Sequence, residues 1–274
     1  MKEACFEVPI VLDYRNDSEP NDGIVGSFGT NSSISRVWIE HTKVGIWVDN
    51  SKRLMVKDCR FRNTIADGVN FCIGMTESVM NGCTARGTGD DSFAIWPATF
   101  GKQKYKPGNN LITRCTAQLP FLANGASIYG GESNKIENCF FSGGSQGSAI
   151  LISTTFPTVN KEVNNNFSGV TTIENCSIET SGGFDHTWGW RSAVQICVDN
   201  YNISGINIKK GLQINRSLSE GFSVIARERE KRSNFLANAI FGNIRIYNSR
   251  IAAKSKGALW YPKGEYSTLI PSAE

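Results

Sequence analysis

DGVNFC at residues 67–72 and DSFAIW at residues 91–96 are one phrase written twice. Each opens on an aspartate, continues with a small residue, and then alternates large apolar side chains with others. That is the period-two pattern of a strand with one face in a core. The second copy carries a further aspartate just ahead of it, in TGDDSF. Outward from this pair the phrase recurs as VGIWVD (44–49), NGASIY (124–129), GSAILI (147–152), SAVQIC (192–197), GFSVIA (221–226) and GALWYP (257–262). Asp91 follows Asp67 by 24 positions, and the longer intervals contain evident loops such as PATFGKQKYKPGNN. A second phrase interleaves with the first: VKDCRFRN, MNGCTARG, ITRCTAQL, IENCFFSG and IENCSIET. It sets Cys59, Cys83, Cys115, Cys139 and Cys176 at one repeating position.

Two short strands per repeat of about two dozen residues, with no helix between them, predict an all-β fold: a right-handed parallel β-helix of about eight coils. A single coil cannot bury its inner face, so the coils stack and equivalent residues form ladders at roughly 4.8 Å per rung. The recurring cysteines then read as an interior ladder of free thiols acting as small hydrophobes. No CxxC or HxxxH spacing suggests a zinc site. The remaining cysteines, Cys5, Cys72 and Cys197, have no obvious partners.

Composition agrees with one globular domain over residues 1–274. The chain has 274 residues, 40% hydrophobic and 20% charged, and a net charge of only +4. Its basic residues are scattered apart from REREKR at 227–232, which argues against a nucleic-acid footprint. It contains no apolar run of membrane-spanning length, and MKEACFEVPIVLDY lacks the unbroken apolar core of a signal peptide.

The alternation assigns faces. Val69 and Phe71, Phe93 and Ile95, and Ala126 and Ile128 point inward. Trp47, Asn70, Ala94, Ser127 and Gln195 form one outward row; Asp49, Cys72, Trp96, Tyr129 and Cys197 form another. Ahead of the strand lies the row Asp67, Asp91, Asn124, with Asp90 at its edge. Three carboxylates thus converge on a patch flanked by Trp47, Trp96 and Tyr129. Crowded carboxylates push one pKa upward, and an acid beside an ionised base is the equipment of glycoside hydrolysis. Aromatic rings beside them suit the apolar C–H faces of sugars. The blander alternative is a tight turn at TGDD; it suffices for Asp67 alone but not for the three together with aromatics in register. Clustered carboxylates could also hold calcium. No cofactor is called for, though a structural calcium ion remains open; DYRNDSEPNDG at 13–23 is the better calcium candidate, but its spacing matches no known loop and a solvated turn is the better account.

At these residues the sequence resembles a known family. GDD after an upstream aspartate on a β-helix is similar to the polygalacturonase and dextranase group. WIEHTKVGIWV, RNTIADGVNF, TGDDSFAIW, LPFLANGASIYGG and GWRSAVQICVDN resemble glycoside hydrolase family 87, the α-1,3-glucanases and mycodextranases. The likeness runs from about residue 35 to 226.

The resemblance implies an inverting endo-hydrolase of α-glucan, with Asp67, Asp90 and Asp91 catalytic. Asp90 or Asp91 would be the general acid, with Asp91 preferred, and the others would hold and deprotonate the water. His41, Trp47, Asn70, Trp96, Asn124, Tyr129, Glu132, Asp185, His186 and Trp188 are the candidate sugar contacts, the last three on the loop GGFDHTWGW (182–190). The Gly-His-Gly and Arg-Ile-Lys of polygalacturonases are absent, and no basic residue stands in the outward rows, which disfavours uronate substrates and a lyase. A polysaccharide is the expected partner, with no nucleic acid and no membrane, and the chain is expected to be monomeric. Family members are larger and secreted. This chain starts about one coil before WIEHTKVG, so a short or missing amino-terminal cap is expected. A capping turn or helix is expected in the last fifty residues. The competing class is a non-catalytic sugar-binding or structural β-helix, which has no need of the three aspartates.

Overall fold

The computed structural model describes residues 22–185, 187–226, 234–242, 244–256, 259–261 and 270–271. Cys5, His186 and the acidic stretch up to residue 21 lie outside them. The described chain forms a right-handed parallel β-helix with no helix among the described residues. Three long parallel sheets carry nine, eight and nine strands, and successive strands of each sheet come from successive coils.

The first sheet is built from the aspartate phrase. Its strands are Ile24–Ser27, Ile46–Asp49, Val69–Phe71, Phe93–Ile95, Ala126–Ile128, Ile150–Ser153, Val194–Val198, Glu220–Ala226 and Ile251–Lys256, in that spatial order. The register is the expected one: Val69 pairs with Phe93 and Phe93 with Ala126. Trp47, Asn70, Ala94 and Ser127 form one continuous outward row. The inward set, including Val69, Phe71, Phe93, Ile95, Ala126 and Ile128, is fully buried in one core running the length of the solenoid.

The small residue after each aspartate has a steric cause. A Cβ at Gly68 would sit 2.5 Å from the Ser92 carbonyl oxygen, because there the backbones of adjacent coils close together, with the Gly68 amide donating to Asp91 O at 3.0 Å.

Four sequence expectations need correction. Each coil has three strands, not two. The cysteine phrase is itself two strands around a tight corner: Met55–Lys57 and Arg60–Arg62, or Leu111–Thr113 and Thr116–Gln118. The residue at the corner is left-handed: Asp58 at φ 54°, Gly82 at 65°, Arg114 at 53°, Asn138 at 55°, Asn175 at 50°. Asn, Asp and Gly tolerate that conformation best. The cysteine after it points inward; all five are free and buried. Their thiols donate to nearby carbonyls, as Cys115 Sγ does to Thr113 O at 3.3 Å.

The last copy of the first phrase is also misplaced. Leu259–Tyr261 joins a small separate sheet with Ile203–Ser204 and Phe235–Ala237, while the ninth strand of the first sheet is Ile251–Lys256. Residues 227–233 of the basic segment lie outside the described chain, and the described residues after them form strands, not a capping helix. Finally, GGFDHTWGW is not a simple loop. Gly183–Asp185 and Gly189–Arg191 pair antiparallel, making a hairpin inserted ahead of Val194–Val198.

Candidate active site

Asp67 and Asp91 are brought side by side by the ladder, and Asp90 reaches the same point from the turn before Asp91. One carboxylate oxygen from each lies within 4.8 Å of those of the other two. Asp67 and Asp91 are buried, whereas Asp90 is partly open. Asp90 Oδ1 accepts the Asp91 backbone amide at 3.0 Å, which fixes the pair relative to each other.

Their surroundings differ. Asp67 receives the Asn70 side-chain amide on Oδ2 at 2.8 Å. Asp91 receives Asn124 N at 3.1 Å and Asn124 Nδ2 at 2.8 Å, both on Oδ1, and the Tyr129 hydroxyl on Oδ2 at 2.7 Å. Burial, then the charges of Asp90 and Asp91, push the Asp67 carboxyl well above the ordinary carboxylate range; the Asn70 amide pulls it partly back. Burial also raises Asp91, but the Tyr129 hydroxyl and the Asn124 amide oppose the rise. Burial thus favours the protonated form of both buried acids, Asp67 the more strongly.

The carboxylates stand in a groove of about 440 Å³ lined by Asp22, Val25, Lys43, Trp47, Asn70, Trp96, Tyr129 and Phe156 among others. The groove runs along the solenoid axis. From the coil of Val25 to that of Phe156 is five rungs, or about 24 Å. A small adjoining cavity shares Asp90, Tyr129 and Phe156 with it and adds Asp185, Trp188 and Arg191. Aromatic rings form a chain along the site. Trp47 meets Trp96 edge-on at 6.1 Å, Trp96 meets Phe156 at 5.7 Å, Phe156 meets Tyr129 at 5.1 Å and Trp188 at 6.4 Å.

The structure thus brings together Asp67, Asp90, Asp91, Trp47, Asn70, Trp96, Tyr129, Asp185 and Trp188. Several of them also hydrogen-bond within the protein. Asn124 lines the small cavity, yet its amide is spent inside the protein: Nδ2 goes to Asp91, and Oδ1 accepts Ser148 N at 2.8 Å. Tyr129 spends its hydroxyl on Asp91. Asp185 Oδ1 accepts Thr187 N at 2.7 Å and Trp188 N at 2.9 Å, shaping the tip of the hairpin. Asn70 Oδ1, by contrast, is buried with no hydrogen-bond partner, beside Asp67.

Two candidates fall outside the groove lining. His41 is an exposed left-handed corner residue, φ 56°, contacting Asn63 Nδ2 at 3.3 Å, and Asn63 holds the corresponding corner of the next coil. Glu132 sits at the corner after Ala126–Ile128 and is paired with Lys106 at 2.6 Å.

Sequence reasoning missed Phe156, Lys43 and Arg191. All three come from segments between repeats, where ladder alignment says nothing. Phe156 had a faint signal, an aromatic residue in STTFPTV directly after a phrase strand. The two cations supply at the groove what the outward rows lack. Arg191 is buried, donates to Gln195 Oε1 and stacks over the Trp188 ring at 5.5 Å.

The fold and site define a parallel β-helix whose coils deliver three carboxylates into an aromatic groove. The comparisons sharpen this. The family model described as the alpha-1,3-glucanase catalytic domain D2 matches residues 11–189, and the chain belongs to that family. Among solved structures it is similar to a GH87 alpha-1,3-glucanase catalytic domain, an aspartate-to-alanine variant in complex with tetrasaccharides. That likeness has 26% identity over 80% of this chain and 39% of that one, with a TM-score of 0.69. A second such variant aligns at 23% identity over 86% of this chain and 48% of that one, TM-score 0.71. The catalytic unit of a thermostable GH87 alpha-1,3-glucanase from Streptomyces thermodiastaticus strain HF3-3 aligns at 21% identity over 91% and 52%, TM-score 0.63. The chain spans about half the length of these solved domains or less. No curated protein matches it.

Proposed function

We propose that the chain is a glycoside hydrolase cleaving α-glucan, with α-1,3-glucan or a nigeran-like polysaccharide as substrate. The observation that carries this reading is the convergence of Asp67, Asp90 and Asp91 in an aromatic groove long enough for several sugar units. A spacing supports it. Three of the solved alpha-1,3-glucanase catalytic domains, bound to tetrasaccharides or nigerose, are alanine variants of an adjacent aspartate pair and of a third aspartate 23 and 24 positions ahead of it. Asp67 stands 23 and 24 positions ahead of Asp90 and Asp91.

In the proposed reaction the buried Asp67–Asp91 pair holds the proton, and Asp91 delivers it to the glycosidic oxygen as the bond to the anomeric carbon breaks. Tyr129 and Asn124 then stabilise the carboxylate left behind. Asp90, the most open of the three, and Asp67 hold a water molecule and take its proton as it attacks the anomeric carbon directly, inverting the configuration. The aromatic chain holds sugar rings on either side. Carboxyl groups of inverting pairs usually stand ~6.5–9.5 Å apart, whereas the nearest oxygens here lie within 4.8 Å. Stereochemistry is therefore the sharpest check on this step.

The experiment is reducing-sugar release from α-1,3-glucan, nigeran, dextran and polygalacturonate, with Asp91→Asn as control, and the product anomer followed by NMR. Release from α-1,3-glucan or nigeran that disappears in the variant, with inverted product, is expected. A retained anomer would overturn direct water attack while leaving hydrolysis in place. Release only from dextran or polygalacturonate would overturn the substrate. No release by the folded protein would favour a binding module.

A further inference from the structure

We infer that Tyr129 and Asn124 are positioning residues that decide which oxygen of Asp91 carries the catalytic proton. This rests on the hydrolase reading and deepens it. A carboxylate has about four acceptor sites, two on each oxygen. Asp91 Oδ1 has both filled, by Asn124 N at 3.1 Å and Asn124 Nδ2 at 2.8 Å. Oδ2 receives only the Tyr129 hydroxyl at 2.7 Å, with the Ser127 hydroxyl beside the carboxyl, so it is the oxygen with room for a proton. A proton on Asp91 is therefore directed to Oδ2.

Both donors are themselves held. Asn124 cannot rotate its amide without losing the bond from Ser148 N to its Oδ1 at 2.8 Å. The Tyr129 ring is buried against Leu151 and Cys197, with Phe156 edge-on at 5.1 Å. A tyrosine so buried stays protonated and remains a donor. Neither residue has its polar group free for sugar. They act through Asp91, on its geometry while it holds the proton and on its charge once the proton has gone, because hydrogen bonds to an ionised acceptor are the stronger kind.

A role through the acid has a signature that simple structural support lacks. It matters most when the leaving group needs a proton and least when it does not. The test uses Tyr129→Phe, which keeps the ring and removes the hydroxyl, on α-1,3-glucan oligomers and on aryl α-nigerosides of increasing leaving-group acidity. We expect kcat on the oligomer to fall on the order of 10- to 100-fold with KM little changed. The loss should shrink to within about threefold for the most acidic phenol. Asn124→Ala should show the same trend at smaller amplitude, with melting curves checking that it folds. A loss equal across the whole series, or a Tyr129→Phe enzyme with wild-type kcat on the oligomer, would overturn the inference while leaving the hydrolase reading intact. Absence of turnover by the wild-type protein on every substrate would overturn both.

Discussion

Two ladders climb this solenoid on the same period, and only one of them opens onto a groove. The cysteine ladder, Cys59 to Cys176, sits just past the left-handed corner between the second and third sheets, with every side chain turned into the core. The aspartate ladder, Asp67 and Asp91 continued by Asn124, sits just ahead of the first sheet and turns outward into a groove. Both repeat because the coil repeats. Inward, repetition fills space and one small apolar residue serves at every rung. Outward, repetition stacks like charges, which the fold tolerates for only two rungs before asparagine replaces aspartate. A ladder of identical side chains is cheap in a core and costly at a charged surface. Where a charged ladder persists, something other than stability maintains it.

The contrast can be tested from the strongest effect to the weakest. Asp90→Asn should cut hydrolysis of α-1,3-glucan on the order of 10²- to 10⁴-fold, the usual worth of an acid or base, with the melting midpoint nearly unmoved because Asp90 is partly open. A variant with near-wild-type kcat would remove Asp90 from the site. Phe156→Ala should raise KM roughly 3- to 10-fold through loss of an exposed stacking ring, with kcat on short substrates less affected. An unchanged KM would mean that the aromatic chain pads the groove without touching sugar.

Asp67→Asn should do two opposite things: abolish activity and stabilise the fold. Burial and two neighbouring carboxylates raise the Asp67 pKa in the folded state. Its contribution to stability is then fully present below the unfolded carboxylate pKa of about 3.9, and is lost as pH rises through the higher folded value. Asparagine does not titrate and can still accept from Asn70. The variant should therefore melt a few °C higher at neutral pH and show no advantage at acid pH. A neutral or lower midpoint at pH 7 would show that Asp67 carries no such penalty. Cys115→Ala completes the comparison with the reverse pattern: a cost of about 1 kcal/mol for a small buried cavity and unchanged kcat. A kinetic effect there would show that the two ladders are coupled.

Much of the candidate site was legible because ladders are a property of period alone. Aligning the inward pairs of one phrase placed Asp67 against Asp91, and Asn70 in one row with Trp47. The residues that failed to reach the groove fail for a common reason. His41 and Glu132 lie at corners, and a corner residue leaves the strand's two-face alternation, so sequence spacing no longer states its direction. Asn124 stands where the ladder puts it, and its amide is hydrogen-bonded to Asp91 and Ser148. Its position follows from the ladder, but the choice between touching sugar and bracing Asp91 depends on where Ser148 N and Asp91 Oδ1 lie in space.

Period, alternation and one pair of repeated aspartates thus determined, without any coordinates, that the chain is a parallel β-helix carrying three clustered carboxylates on its first sheet. The tertiary structure decided how many strands make a coil, since a corner of one left-handed residue leaves no gap in the hydrophobic pattern. It also decided what surrounds the carboxylates. Phe156, Lys43 and Arg191 enter from segments between the repeats, and the hydrogen bonds onto Asp91 depend on side-chain direction. Repetition encodes the ladder, and only packing brings non-repeating segments against it.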